Sequence, residues 1–216
     1  MTGSSIGKKI VMALSGLFLV SFLLLHFAVN FVSVFSPDAY NAASEFMGTN
    51  FLVQFVMQPI LVIGVIVHFV MGMYLEVQNR SARKVKYAKY KGNANSSWMS
   101  RNMIYSGLVV LLFLAVHFVD FWFPEMQYKY IDKLSDAQRY YPELVEEFHN
   151  PVRVGVYVLA FIALILHLLH GFQSSFQSVG LSHKRYTPVL KTLGVLFAYI
   201  VPIGFIFIAL FHHFSH

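Results

Sequence analysis

Residues 154–172 read VGVYVLAFIALILHLLHGF, a run with no charged side chain that nevertheless carries His167 and His170 near its end. The run sits in a longer gap, because no Asp, Glu, Lys or Arg occurs between Arg153 and Lys184. Four more gaps of this kind lie between Lys9 and Asp38, Glu45 and Glu76, Arg101 and Asp120, and beyond Lys191. Each spans about 18 residues or more, enough at ~1.5 Å per residue to cross a hydrocarbon core. A bilayer admits only helices or closed barrels, and these lengths fit helices. The fold class expected is therefore all-α integral membrane, with five transmembrane helices in a bundle.

The composition agrees. Apolar residues make up 57% of the 216-residue chain and charged residues 12%, about half the charged share of a soluble domain. The absence of cysteine excludes disulfides, thioether-attached haem and cysteine-ligated clusters on this chain. No GxGxxG or P-loop is present, so dinucleotide or ATP chemistry would belong to a partner.

We read one transmembrane domain over 1–216, with spans at about 10–35, 51–77, 102–123, 152–177 and 189–212. The connections alternate in charge. Lys8, Lys9, Arg80, Arg83, Lys84, Lys86, Lys89, Lys91, Arg101, Lys184, Arg185 and Lys191 share one side, leaving four basic residues for the other. The positive-inside rule then puts the N-terminus in the cytoplasm and the C-terminus outside. It also accounts for the net charge of +6 without nucleic acid. The apolar stretch after KK is too long for a signal-peptide core and lacks an A-x-A site, so it reads as a retained first span. In the third connection Ser135 and Gln138 have capping-box spacing, predicting a short surface helix that ends near Pro142. Pro59 and Pro202 are candidate kinks.

Imidazole is costly to bury without a partner, and four successive spans carry one: His26, His68, His117 and His167. Their depths match in pairs. Counted from the basic ends, His26 and His117 lie roughly 25 Å in, and His68 and His167 roughly 17 Å. Two neutral imidazoles facing each other across a bundle are what six-coordinate haem iron requires. A zinc site wants three or four ligands at one depth, and a proton relay usually includes carboxylates within the spans. Gly64 and Gly72 flank His68 one turn away on each side, and Ala163 and Gly171 flank His167 likewise. Residues at i±4 share a helix face, leaving room for a porphyrin. Small-xxx-small helix packing produces the same pattern. His149, His183, His212, His213 and His216 read as solvated loop or tail residues.

The segments SIGKKIVMALSG, LLLHFAVN, VHFVMGMYLEVQNR, LAVHFVDFW and HLLHGFQSSFQSVG carry a resemblance over nearly the whole chain. It resembles the five-helix, di-haem cytochrome b membrane anchor of bacterial succinate dehydrogenases and quinol:fumarate reductases. The resemblance implies a bundle enclosing two haem b groups in the bacterial cytoplasmic membrane. His26 and His117 would ligate the distal haem, and His68 and His167 the proximal one. In this family the fourth-helix ligand precedes a glycine by four, which favours His167 and leaves His170 as runner-up. The resemblance further implies menaquinone or menaquinol as substrate, with a flavoprotein holding FAD and an iron–sulfur subunit on the cytoplasmic side. Dicarboxylate chemistry would lie on those partners, and two heterotrimers could pair. Some members carry Glu two residues before the fourth-helix histidine; here that position is Ile165, so their proton path does not carry over.

Propionates need cations or hydroxyls at the membrane boundary, and Lys8, Ser15, Arg101 and Arg153 are the candidates. A quinol needs a proton acceptor. Glu45, Asn30 and Asp120 offer one at the outer end, and Trp98 with Arg101 suits an inner site. The alternatives are the cytochrome b subunit of a membrane hydrogenase or formate dehydrogenase, and a haem-free, histidine-lined transporter.

Overall fold

The computed structural model describes residues 5–81, 102–181 and 183–215. Five helical spans long and apolar enough to cross a membrane run over Ser5–Val34, Val53–Ser81, Met103–Ile131, Pro151–Ser178 and Thr187–Ser215. They are apolar nearly all round, as membrane helices are. Ile60, Ile63, Ile66, Val70 and Val77 of the second span, for example, all face outward. Five crossings leave the chain's ends on opposite faces, here called the N-terminal and C-terminal faces.

The first four spans form a ring. The first packs on the second and fourth, the third packs on the fourth, and the second meets the third more sparingly. The fifth span lies outside this ring against the fourth and first. A mainly aromatic core fills the C-terminal half, joining Phe148, Tyr157, Phe161, Val201 and Phe205. Pro202, inside the fifth span, is fully buried in this region.

Two short helices cap the C-terminal face. The sequence reading did not foresee Pro37–Thr49, although its start is marked: Ser36 caps it by accepting from the Ala39 amide, and Pro37 fills the first turn. The second corrects an expectation. Residues 133–136 are irregular, and the helix is Tyr140–His149, so Pro142 stands near its start rather than its end. Proline lacks an amide hydrogen and suits a first turn, where that donor would be unused. Ser135 caps nothing there, because Asp136 accepts the Gln138 amide instead.

The third span also outruns its expected end at 123 and reaches Ile131 through π turns at Phe118–Trp122 and Gln127–Ile131. Its acids do not stop it because they are paired: Asp120 with Arg153, and Glu125 with Lys129 and Arg139. His212 is a further correction. It is fully buried on the fifth span, with Nε2 2.9 Å from the Ser33 hydroxyl. The basic connection with Arg83, Lys84, Lys86, Lys89, Lys91, Trp98 and Arg101 lies outside the described residues.

Candidate functional site

The four span histidines come together in two pairs. His26 faces His117 with ring centroids 5.8 Å apart and planes at 83°. His68 faces His167 at 6.2 Å and 75°. Each pair joins alternate spans of the ring, so each lies across the bundle rather than between neighbours. The ring opposite His68 belongs to His167; His170 is half-buried one turn on.

Second partners orient the rings. Ser15 donates its hydroxyl proton to the Met12 carbonyl at 2.9 Å, and its oxygen lies 3.1 Å from His68 Nδ1. The hydroxyl's proton is thus used, and its lone pair is left for an Nδ1–H. Ser106 repeats this, donating to the Met103 carbonyl at 2.9 Å and meeting His167 Nδ1 at 3.4 Å. With Nδ1 protonated, each ring keeps its Nε2 lone pair for a metal.

The glycine after each serine permits the approach. A Cβ on Gly16 would stand 3.2 Å from His68 Cε1, and one on Gly107 3.4 Å from His167 Cε1. His117 has a different partner. Tyr157 donates to Asp120 Oδ2 at 2.8 Å while its oxygen lies 3.4 Å from His117 Nδ1. His26 Nδ1 meets the Asn30 amide nitrogen at 3.5 Å, and that nitrogen donates to the His26 carbonyl at 2.8 Å. Phe22 stacks on His26, and Phe113 on His117.

Sequence reasoning misses Ser106–Gly107 and Tyr157–Asp120 as orienting pairs and offers Ser15 as a propionate candidate. A signal was present. Met12, Ser15, Gly16, Leu17, Phe22, His26 and Phe27 recur at one constant offset as Met103, Ser106, Gly107, Leu108, Phe113, His117 and Phe118. The second and fourth spans likewise share Ile63, His68 and Gly72 with Ile162, His167 and Gly171. The ring is two similar helix pairs, and each pair's serine–glycine seats its own second histidine.

The small residues beside the histidines face neighbouring side chains. Gly64 seats the Phe18 ring, which a Cβ would approach to 2.8 Å; Gly72 lies against Met12 and Gly171 against Met103. Ala163 is half-buried. Among the propionate candidates, Lys8 donates to the Tyr74 hydroxyl at 2.8 Å and Arg153 pairs with Asp120 and Glu147. Arg101 is outside the described residues. The quinol candidates fall into separate groups: Asn30 beside His26, Asp120 beneath Tyr157, and Glu45 accepting from Tyr140 at 3.0 Å.

Glu45 opens onto a cavity of about 270 Å³ at the C-terminal face, shared with Gln54, Tyr128, Lys129, Arg139 and Tyr140. The Gln54 side-chain carbonyl is buried there without a hydrogen-bond partner among the described residues. Burial, reinforced by the hydrogen bond to Glu45, pushes the Tyr140 phenol up to about 12. It therefore stays a donor at neutral pH.

Each histidine pair could supply two ring nitrogens to one metal. Among the described residues no three His, Cys, Asp or Glu gather to hold a metal by themselves. A family model described as succinate dehydrogenase/fumarate reductase transmembrane subunit matches residues 78–207, more than half of the chain. The matched segment contains His117 and His167, while His26 and His68 precede it. No curated protein and no solved structure matches the chain.

Proposed function

Because the chain belongs to the family of succinate dehydrogenase/fumarate reductase transmembrane subunits, we propose that it is the di-haem cytochrome b of such a complex. It anchors the complex and carries electrons between menaquinone or menaquinol and an iron–sulfur partner. The two facing imidazole pairs on four spans are the observation that carries this reading. Two imidazoles that shared one metal through ring nitrogens at about 2.0 Å would hold their ring centres roughly 6 Å apart. Separations of 5.8 and 6.2 Å fit that requirement.

His26 and His117 hold one haem, and His68 and His167 the other. Bound haem supplies a one-electron site buried between the membrane surfaces. The chain's own residues do the rest: Ser15 and Ser106 fix the ring tautomers, and Phe22, Phe113 and Phe205 keep the distal pair's surroundings apolar. Two neutral imidazoles add no buried charge of their own.

The quinol is oxidised or formed at the C-terminal-face cavity. Its two hydroxyls need acceptors, and the Glu45 carboxylate and the Gln54 carbonyl, unpartnered among the described residues, are both there. Glu45 takes one of the two protons released on quinol oxidation, and the other passes to solvent at this face. The basic N-terminal face is cytoplasmic, where a flavoprotein with FAD and an iron–sulfur subunit dock on the positive connections. The chain therefore resides in the bacterial cytoplasmic membrane with its C-terminus outside.

A dithionite-reduced spectrum with a pyridine haemochrome assay tests the reading. Two b haems per purified chain support it; a chain without haem when expressed with full haem supply overturns it. Pull-down of a flavoprotein and an iron–sulfur protein identifies the complex.

A further inference from the structure

One of the four imidazoles differs from the rest. His68 and His167 contact serine hydroxyls, whose protons go to helix carbonyls. His26 has the Asn30 amide at the edge of hydrogen-bond range. His117 alone among the described span histidines is connected through a phenol to a carboxylate. Tyr157 is 2% exposed, and the Asp120 side chain is 1% exposed. The Tyr157 proton is committed to Asp120, so its oxygen faces His117 Nδ1 as an acceptor.

The chain continues outward. Arg153 stands 3.3 Å from the other Asp120 oxygen and 3.0 Å from Glu147. Arg153 thus pairs with Asp120 at this depth. The π turn Phe118–Trp122 begins at the residue after His117 and contains Asp120. A wide turn of this kind re-aims the side chains that follow it. Tyr157 is braced by Phe113, Phe148 and Phe161, which fix the height of its oxygen.

We propose that Tyr157 and Asp120 are positioning residues for His117 that hold the distal haem at a lower midpoint potential than His117 alone would give. The proposal rests on the di-haem reading above. Its chemistry is general. An Nδ1–H donated toward an oxygen that itself leans on a carboxylate makes the imidazole a stronger electron donor, which favours the ferric state. The serine-held pair has no such carboxylate among the described residues, so the two haems would be set apart by their hydrogen-bond partners although both are held by histidine pairs.

The test is potentiometric titration of the purified complex carrying Tyr157→Phe or Asp120→Asn, with haem content measured in the same samples. We expect both haems to be retained and the distal potential to rise, with the proximal unchanged. The shift should reach about tenfold in the reduced-to-oxidised ratio at fixed potential, ~59 mV for a one-electron couple. Selective loss of the distal haem in Tyr157→Phe also supports positioning. Two haems with an unmoved distal potential overturn the proposal and leave the di-haem reading standing. Loss of both haems in both variants overturns it too, since the couple would then hold the bundle rather than one ligand. A wild-type chain without haem sinks the underlying reading instead.

Discussion

Ser15 on the first span holds the Nδ1 edge of His68 on the second, oxygen to nitrogen 3.1 Å. Ser106 stands in the same relation to His167 at 3.4 Å. In each case the serine proton is directed into its own helix, so the hydroxyl presents a lone pair to the ring. An imidazole held in this way keeps its Nε2 lone pair available to a metal.

The choice between the two histidines of the fourth span follows from that seat. His167→Ala should lose the proximal haem and keep the distal one, while His170→Ala retains both. Haem-to-protein ratio and the reduced α-band of each variant check this. Loss of a haem only in the His170 variant reverses the assignment.

Gly16 lies against His68, with a Cβ there standing 3.2 Å from the ring. Gly16→Val should displace the imidazole at an overpacking cost of about 1–3 kcal/mol and lower proximal haem occupancy. Gly107→Ala, with 3.4 Å available, should be milder. Haem titration of the two variants gives the order.

Glu45→Gln should slow quinol oxidation at least tenfold with both haem spectra intact, because Glu45 touches the cavity rather than the histidine pairs. Steady-state assay with a soluble menaquinol analogue measures it. Undiminished turnover would place the quinol elsewhere.

Arg139, 9% exposed, bridges Glu125 and Glu143 and lies over the Tyr128 and Tyr140 rings. Removing one partner of a buried ion pair costs about 3 kcal/mol. Arg139→Ala should therefore lower the thermal midpoint and sensitise residues 132–139 to protease. Haem content should stay at the wild-type level, since no histidine-pair partner is lost.

Burial pushes the Tyr40 phenol, and likewise Tyr140, up to about 12. The unfolded chain releases these protons near pH 10 and the folded one later. The stabilisation is complete below pH 10 and is lost as pH rises through about 12, on the order of 2 kcal/mol for Tyr40. Tyr40→Phe should flatten the fall in thermal stability over that window, as melts between pH 9 and 12 would report.

Much of this was legible in the chain before any coordinates. The charge-free gaps fixed five helical spans, because a bilayer leaves the backbone no other open-chain solution. Equal spacing from the basic ends paired His26 with His117 and His68 with His167 in depth, because a helix converts residue number into height. What surrounds each ring was not legible, since it depends on how helices rotate against one another. Ser15 was a boundary candidate by sequence and became the partner of His68. His212 read as a tail residue and proved fully buried against Ser33. Asp120 reads as the end of a charge-free gap and Glu125 as lying beyond the third span, yet the helix carries both because arginines from elsewhere in the chain meet them. Composition and period thus decide the number of spans and the level of each histidine. Only the packed bundle decides which oxygen faces which nitrogen, because that depends on contacts between residues far apart in the chain.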